Sequence, residues 1–205
     1  MLKQVRIGVL VSGGGSNLQA LIDAQQAGKL PDGQLALVLS DRPGIRALER
    51  AREAGIPALA FDRKAEGAQA VEQRMLEALE QQHIQVVVLA GFLMILSPIF
   101  IRKYAGRILN VHPSLLPAFG GKGFYGLKVH QAALERGVQV TGATVHLVNE
   151  IPDGGRILLQ QPVRVRRGDT AETLQRRVME QAEWKLLPRA TQMLCRRIIK
   201  EEHHG

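Results

Sequence analysis

The sequence predicts an α/β protein with a mostly parallel sheet flanked by helices, which ends in a β-hairpin and a long helical region. Three observations predict this fold class. Short apolar segments alternate with amphipathic helical segments along the first half of the chain. A glycine-rich turn follows the first apolar segment. Beyond residue 140 the pattern changes to two strands joined by a turn and then to helix.

The first half of the chain reads as repeated strand and helix units. The predicted strands cover residues 4–11, 35–40, 58–61, 84–90 and the stretch around Asn110, and the predicted helices cover residues 18–27, 45–54, 71–83, 97–104 and 129–135. Gly28 and Gly55 follow two of the helices, where glycine commonly ends a helix. Because crossover helices between strands place those strands parallel, the alternation predicts a Rossmann-like sheet.

The last third of the chain has a different organisation. Residues 142–148 and 156–165 read as strands joined by the turn at residues 151–155 (IPDGG), which predicts a hairpin. Residues 171–200 form a long amphipathic region in which Pro188 predicts a kink or a break. We expect a single domain over residues 1–200 and a tail over residues 201–205, to which we assign no role.

The composition is that of an ordinary globular protein. Of the 205 residues 45% are hydrophobic and 22% are charged, and the longest apolar run, residues 86–96, is too short to cross a bilayer. No signal peptide is evident and Cys195 is the one cysteine, so we expect a cytoplasmic protein without an internal disulfide. The net charge of +8 is densest in the C-terminal third. Without interleaved aromatic residues, this charge favours a solvated helix face over a nucleic-acid surface.

The turn at residues 12–17 (SGGGSN) suits a phosphate, because glycines expose backbone N–H groups and the next helix starts with its positive end toward the anion. It is neither the dinucleotide fingerprint nor a Walker loop. A tight turn with Ser16 or Asn17 as helix N-cap explains the residues almost as well. The position of the turn after the first strand favours the phosphate.

Residues 107–117 (RILNVHPSLLP) begin as a strand and end as a loop, since two prolines prevent either regular structure from continuing. Asn110 and His112 are two residues apart and project to the same side of the strand. An amide and a cationic imidazole directed at one point can stabilise an oxyanion formed by attack on a carbonyl. Both residue types are also good turn formers, and this stretch alone does not decide between the two interpretations.

With these motifs the chain resembles the glycinamide ribonucleotide formyltransferases, folate-dependent enzymes of purine biosynthesis. The similarity covers nearly the whole chain and is carried by residues 12–18 (SGGGSNL), 88–92 (VLAGF), 95–98 (ILSP), 109–117 (LNVHPSLLP), 142–146 (GATVH) and 153–155 (DGG). The block from Asn110 to Pro117, followed at a distance by Asp-Gly-Gly, is highly specific for folate formyltransferases.

The resemblance implies the formyltransferase fold and the transfer of a formyl group from 10-formyltetrahydrofolate to the amine of glycinamide ribonucleotide. It implies no metal, no nucleic-acid or membrane partner, and a monomer or homodimer. The implied catalytic residues are Asn110, His112 and Asp153. The implied ribonucleotide site comprises Gly15, Ser16, Asn17, Gly91, Leu93, Val111, Pro113 and Glu183. The implied folate site comprises Leu89, Leu93, Met94, Ile95, Leu96, Ile101, Ile108, Asn110, Val148, Asn149, Glu150 and Asp153.

In this scheme Asp153 raises the pKa of His112 and keeps it cationic, although Asp-Gly-Gly also fits an ordinary turn. His146 is expected to be buried and structural, and Thr144 is expected to orient a water molecule or His112. Surface or capping roles suffice for His83 and His130. Glu183 would contact ribose hydroxyls, with a solvated helix position as the alternative.

Three departures from the commonest family pattern stand out. Residues 120–126 (GGKGFYG) form a longer, glycine-rich loop, which suggests a flexible flap over the phosphate with Lys122 as an extra anion contact. Met94 occupies a position where many members carry an arginine near the folate glutamate tail. Trp184 follows Glu183 where histidine is usual, and the helix before it is one residue longer.

Two kinds of rival function are considered. Formyltetrahydrofolate hydrolase and methionyl-tRNA formyltransferase share this catalytic domain, but both are expected to carry an additional domain for which the chain is too short. A non-catalytic nucleotide- or RNA-binding module would use the basic C-terminal third, and its binding would weaken steeply with salt.

Overall fold

The structure is a computed structural model that describes residues 4–204, and its centre is one seven-stranded sheet. The strands are β1 (Val5–Val11), β2 (Gly33–Ser40), β3 (Ala58–Ala60), β4 (Val86–Leu89), β5 (Ile108–His112), β6 (Val140–Leu147) and β7 (Ile157–Arg164). Their order in the sheet is β3-β2-β1-β4-β5-β6-β7. The first five strands are parallel, whereas β6 runs antiparallel to β5 and β7 antiparallel to β6. The mostly parallel sheet and the C-terminal hairpin are therefore confirmed.

Helices cover both faces of the sheet. They are α1 (Ser16–Gln26), α2 (Arg46–Glu53), α3 (Arg63–Glu66), α4 (Ala68–Gln81), α5 (Pro98–Lys103), α6 (Leu127–Glu135), α7 (Ala171–Val178) and α8 (Trp184–His204), with a π-helical turn at Met179–Glu183. The short α3 was not predicted; its N-cap Asp62 accepts hydrogen bonds from the N–H groups of Lys64 and Ala65.

Alternation along the central strands divides the core into two parts. Val86 and Val88 of β4 belong to the apolar cluster formed with α1, α2, α7 and α8, whereas Val87 and Leu89 belong to the cluster formed with α4 and α5. Side chains of a strand point alternately to the two faces, so a strand covered on both faces must be apolar throughout. This requirement explains the continuous apolar runs in the sequence.

Of the kink or break that the sequence predicted at Pro188, the break is wrong. This proline lies inside α8, and the regular helix is instead interrupted several residues earlier by the π-helical turn Met179–Glu183. A π-helical turn accommodates one extra residue within a helix. The extra length expected from the sequence before Trp184 is therefore absorbed there.

The last helix continues into the segment predicted as a tail, as far as His204, while residues 1–3 and 205 lie outside the described residues. Among the helices that the structure describes, none is long and apolar enough to cross a membrane.

Candidate active site

The candidate site lies where the parallel strands β1, β4 and β5 end side by side. Carboxyl ends of neighbouring parallel strands share one edge of a sheet, which is the usual ligand-binding edge in such folds. Two hydrogen bonds join the exits of β1 and β4: the Ser12 N–H donates to the Gly91 carbonyl at 3.2 Å, and the Leu93 N–H donates to Ser12 Oγ at 3.0 Å. Ser12 thereby fixes the glycine-rich turn relative to the loop that carries Gly91 and Leu93.

Gly15 is the N-cap of α1 and adopts the left-handed conformation, with φ of 75°, and among residues 4–204 no side chain caps the helix. The alternative in which Ser16 or Asn17 is the N-cap is therefore wrong. A Cβ built on Gly15 would lie 2.7 Å from Cβ and 2.8 Å from Cα of Ala47 in α2, whereas a Cβ on Gly13 or Gly14 meets nothing within 4 Å. Glycine is needed at position 15 because the turn packs against α2, and the open side of the turn is at positions 13 and 14.

Glu183 closes the far side of the turn. Its side chain is buried, and its Oε2 accepts a hydrogen bond from Asn17 Nδ2 at 2.7 Å. Burial raises the pKa of Glu183 to about 7, although the bond from Asn17 opposes this rise. The solvated alternative for Glu183 is wrong, because the π-helical turn that ends at this residue directs the carboxyl group toward α1.

Asn110 and His112 end β5 as predicted, and the antiparallel register of β6 sets His146 opposite Asn110 and Thr144 opposite His112. Asn110 Nδ2 lies 3.1 Å from His146 Nε2 and donates to Asp153 Oδ1 at 3.4 Å. The carboxylate oxygen only accepts, so the amide nitrogen faces it. His146 Nδ1 donates to the Leu147 carbonyl at 3.0 Å, and its Nε2 lies 3.5 Å from Asp153 Oδ1.

Asp153 lies between Asn110 and His112 at the turn after β6. It adopts a positive φ of 55°. The turn comes so close to β6 that a Cβ on Gly155 would lie 1.7 Å from the Leu147 carbonyl oxygen, which excludes a side chain there. Asp153 Oδ2 lies 3.4 Å from His112 Nδ1 and accepts the Gly121 N–H at 2.8 Å. The tertiary structure thus brings the three predicted catalytic side chains together.

Burial and the neighbouring polar groups have opposite effects on the pKa values of His112 and Asp153. Burial lowers the pKa of His112, and the raising effects of Asp153 and of the Phe119 carbonyl do not overcome it, so the net shift is downward. This direction is opposite to the rise implied by the resemblance. Burial on its own raises the pKa of Asp153, but contacts with His146, the Gly121 N–H and His112 outweigh burial and lower it. Asp153 is therefore the charged partner, and its charge favours the imidazolium against burial.

The loop after Pro117 covers this cluster. The Phe119 carbonyl oxygen lies 2.7 Å from His112 Nε2, so this ring nitrogen carries a proton and donates it. With Gly121 bonded to Asp153, the first part of the glycine-rich loop contacts the side chains that were predicted to be catalytic. The flap over the phosphate that the sequence suggested, with Lys122 as an anion contact, stays a prediction.

The residues predicted for the folate site divide into two groups. Leu89, Met94, Leu96, Ile101 and Ile108 are at most 8% exposed and pack in the apolar cluster under α4 and α5, with Val148 against it. Leu93 and Ile95 are exposed, and Glu150 pairs with Arg102 at 3.1 Å. Asn149 supports the Asp153 turn, since its Oδ1 accepts the Ile151 N–H at 3.0 Å. Met94 belongs to the core, so an arginine at this position would have to bury its charge.

Two further sequence interpretations change. His130 is fully buried, neither ring nitrogen has a hydrogen-bond partner within residues 4–204, and burial lowers its pKa to about 4, so a surface role is wrong.

Thr144 Oγ1 donates to the Ser114 carbonyl at 2.7 Å and accepts from the Leu116 N–H at 3.0 Å. Thr144 therefore holds the loop after β5. His83 is exposed at the end of α4, as expected.

His146 is the member of the cluster whose importance the sequence did not show. It is buried and hydrogen-bonded, as predicted, but it also lies against Asn110 and Asp153. Its position two residues after Thr144 on a strand was the one available signal. Only the strand register shows which residue it faces.

The chain is similar to known proteins over nearly its whole length. The profile of the formyl transferase family matches residues 5–191. The phosphoribosylglycinamide formyltransferase of Escherichia coli (strain K12) is 43% identical over 182 residues, which cover 86% of this chain and 81% of that protein. The trifunctional purine biosynthetic protein adenosine-3 of Bos taurus is 42% identical over 99% of this chain, which spans only 20% of the bovine protein.

A solved structure shares the fold as well. The crystal structure of glycinamide ribonucleotide transformylase 1 from Symbiobacterium toebii superposes with a TM-score of 0.87 at 41% identity, covering 94% of this chain and 88% of that one. Sequence and fold agree over nearly the whole length described. The chain therefore belongs to the formyl transferase family.

Proposed function

We propose that this chain transfers the formyl group of 10-formyltetrahydrofolate to the amine of glycinamide ribonucleotide, giving formylglycinamide ribonucleotide and tetrahydrofolate. The proposal rests mainly on one observation: Asn110, His112 and Asp153 are in contact at the sheet edge that also carries the glycine-rich turn. The first group suits an acyl-transfer oxyanion and the second suits a phosphate. The names of the similar proteins support the same substrates.

In the proposed reaction the substrate amine attacks the formyl carbon, and the formyl oxygen gains negative charge. Asn110 Nδ2 and His112 Nε2 are the donors that would stabilise this oxygen. As the new C–N bond forms and the bond to folate N10 breaks, the amine loses a proton and N10 gains one. Asp153 contributes by favouring the protonated state of His112, which burial opposes.

The donors are already occupied by acceptors of the protein. His112 Nε2 bonds the Phe119 carbonyl, and the amide of Asn110 contacts Asp153 and His146. For His112 to donate to the formyl oxygen, Phe119 must withdraw. Glycines at positions 121, 123 and 126 adopt positive φ and allow the backbone to rearrange there. We therefore infer that substrate binding exchanges the Phe119 carbonyl for the formyl oxygen.

For the ribonucleotide, the proposal assigns the phosphate to Gly15, Ser16 and Asn17, the ribose to Glu183, and the remaining contacts to Gly91, Leu93, Val111 and Pro113. The buried bond between Asn17 and Glu183 joins the phosphate and ribose parts of this site. For the folate, the proposal assigns the exposed Leu93 and Ile95 as direct contacts. The buried apolar residues near them form the supporting wall.

The test is to mix the protein with 10-formyltetrahydrofolate and follow its deformylation with and without glycinamide ribonucleotide. We expect deformylation that depends on the ribonucleotide and produces the formylated amine in equal amount. Deformylation of equal rate without ribonucleotide would instead indicate a hydrolase. Tight RNA binding that weakens steeply with salt, without deformylation, would favour a binding module.

A further inference from the structure

We propose that Arg50 in α2 is a positioning residue for the substrate phosphate, because it fixes the orientation of the peptide groups in the glycine-rich turn. The proposal rests on the proposed function and deepens its phosphate subsite. Arg50 Nε donates to the Gly14 carbonyl at 2.9 Å, and its Nη1 donates to Gln19 Oε1 at 2.8 Å. One guanidinium therefore joins the turn to the first part of α1.

A second bond from α2 acts on the neighbouring peptide group. The Ala47 N–H donates to the Gly13 carbonyl at 3.3 Å. The carbonyls of Gly13 and Gly14 are thus both held by α2, one through a backbone donor and the other through Arg50. Ala47 also contacts the position where a Cβ of Gly15 would lie, so α2 packs closely along the whole turn.

Because the peptide bond is planar, these two contacts also fix the direction of the N–H group that follows each carbonyl. In a trans peptide the C=O and the following N–H point in opposite directions. With the carbonyls of Gly13 and Gly14 directed at α2, the N–H groups of Gly14 and Gly15 are directed away from it. Neither N–H donates to a partner within residues 4–204. The two donors are therefore left for a ligand, and the turn has room for one, since a Cβ built on Gly13 or Gly14 meets no described residue within 4 Å.

The positive charge of Arg50 also favours the binding of an anion at the turn. Arg50 and Ser16 line a cavity of about 800 Å³ between α1 and α8. Arg50 is half-buried, so its charge is less screened than that of a fully exposed arginine. A guanidinium behind the turn makes the exposed N–H groups a better anion site without itself having to contact the phosphate.

Kinetics can separate this role from general support of the fold. The variants are Arg50→Met and Arg50→Lys, with Arg52→Met as the matched control, because Arg52 lies two residues further along α2 and is exposed. Each is assayed with glycinamide ribonucleotide and with the corresponding nucleoside that lacks the phosphate. Lysine can donate to the Gly14 carbonyl, but it lacks the fork that also reaches Gln19.

We expect Arg50→Met to raise the KM for the ribonucleotide about 10- to 100-fold, the effect of losing a charge-assisted hydrogen bond. The kcat and the KM for the folate should stay within about twofold of wild type. Arg50→Lys should recover part of the loss, and Arg52→Met should behave as wild type. With the nucleoside, Arg50→Met and wild type should be equally active. An equal loss on both substrates, or an unchanged KM for the ribonucleotide, would overturn the proposal.

A binding experiment keeps the proposal testable if the chain transfers formyl to another acceptor. Calorimetric titration with inorganic phosphate probes the turn without any reaction. Binding by wild type and Arg52→Met that is lost in Arg50→Met supports the positioning role, whatever the acceptor. Phosphate affinity that is the same in Arg50→Met and wild type overturns it.

Discussion

At one edge of the sheet, the hydrogen-bond donors of the glycine-rich turn and those of the proposed catalytic cluster (Asn110, His112 and Asp153) differ in their partners. The carbonyl oxygens of Gly13 and Gly14 accept hydrogen bonds from α2, and the N–H groups of Gly14 and Gly15 have no partner within residues 4–204. The cluster uses its donors on internal acceptors, since His112 bonds Phe119 and Asn110 bonds Asp153. In the proposed function, the phosphate subsite would therefore be formed before the ligand arrives, whereas the oxyanion subsite would have to exchange a partner.

In the proposed function, one edge of the sheet would combine a preformed anion site with a reaction site that opens only when a loop moves. Free donors on a fixed backbone need no reorganisation to accept an anion. Donors that already have hydrogen-bond partners become available to a substrate only when the loop that carries Phe119 moves. Substitutions at the turn should therefore change binding, and substitutions in the cluster should change the rate of reaction.

The largest effect is expected at Asp153. In Asp153→Asn the charge that favours the His112 imidazolium is lost, so the pKa of His112 should fall further below its ordinary value. We expect kcat to drop about 10²- to 10⁴-fold and the remaining activity to move to lower pH, with small changes in KM. NMR titration of His112 together with pH–rate profiles tests this. A near-normal kcat, or a His112 pKa indifferent to the substitution, would return Asp153 to an ordinary turn residue.

Asn110→Ala should lower kcat about 10²-fold, the usual cost of one oxyanion donor. The pH of half-maximal activity should stay where it is in wild type, because an amide does not titrate. Comparing its pH–rate profile with that of Asp153→Asn separates the donor from the residue that controls charge. A shift in the profile of Asn110→Ala would show that Asn110 acts mainly through Asp153, which it contacts.

Two glycine substitutions test the turn. Gly15→Val should reduce stability by about 1–3 kcal/mol, because its side chain would meet Ala47 and its φ is positive. Gly14→Val places its side chain on the open side, so it should raise the KM for the ribonucleotide about 10-fold or more with little loss of stability. Thermal unfolding and KM are measured on both. A stable Gly15→Val protein would contradict the packing against α2.

The last prediction concerns His130, which lies buried in α6, and whose pKa is lowered to about 4 by burial and by the charge of His112. The unfolded chain binds this proton below about pH 6.5. Stability should therefore fall as the pH drops from about 6.5 to 4, by at most about 1.4 kcal/mol per pH unit from this group. His130→Leu should flatten this dependence of stability on pH. Denaturant unfolding at several pH values measures it, and equal slopes in wild type and His130→Leu would contradict the assignment.

Much of the fold could be predicted from the sequence because it depends on local periodicity. Strand and helix segments, the turn before α1 and the hairpin were placed within a few residues, since apolar spacing and glycine positions fix them. Asn110 and His112 were recognisable for the same reason, because two residues on one strand share a side. Asp153 was found through resemblance, since Asp-Gly-Gly alone also fits a turn.

Contacts between distant parts of the chain were decided by the tertiary structure alone. His146 faces Asn110 because of the β5–β6 register, and Arg50 reaches Gly14 across 36 residues of sequence. The break before α8 lies in a π-helical turn and not at Pro188, because that turn absorbs the extra residue and directs Glu183 to Asn17. Periodicity carries no information on register or on long-range partners.

The charge states also depended on tertiary structure. The family resemblance implies a raised pKa for His112 beside Asp153, and the helix that carries His130 suggests a surface position for that histidine. In the folded chain, burial outweighs the carboxylate at His112 and leaves His130 without a partner among the described residues. Sequence identifies which groups can titrate. Only packing sets how much water each one loses, and that loss determines the direction of the shift.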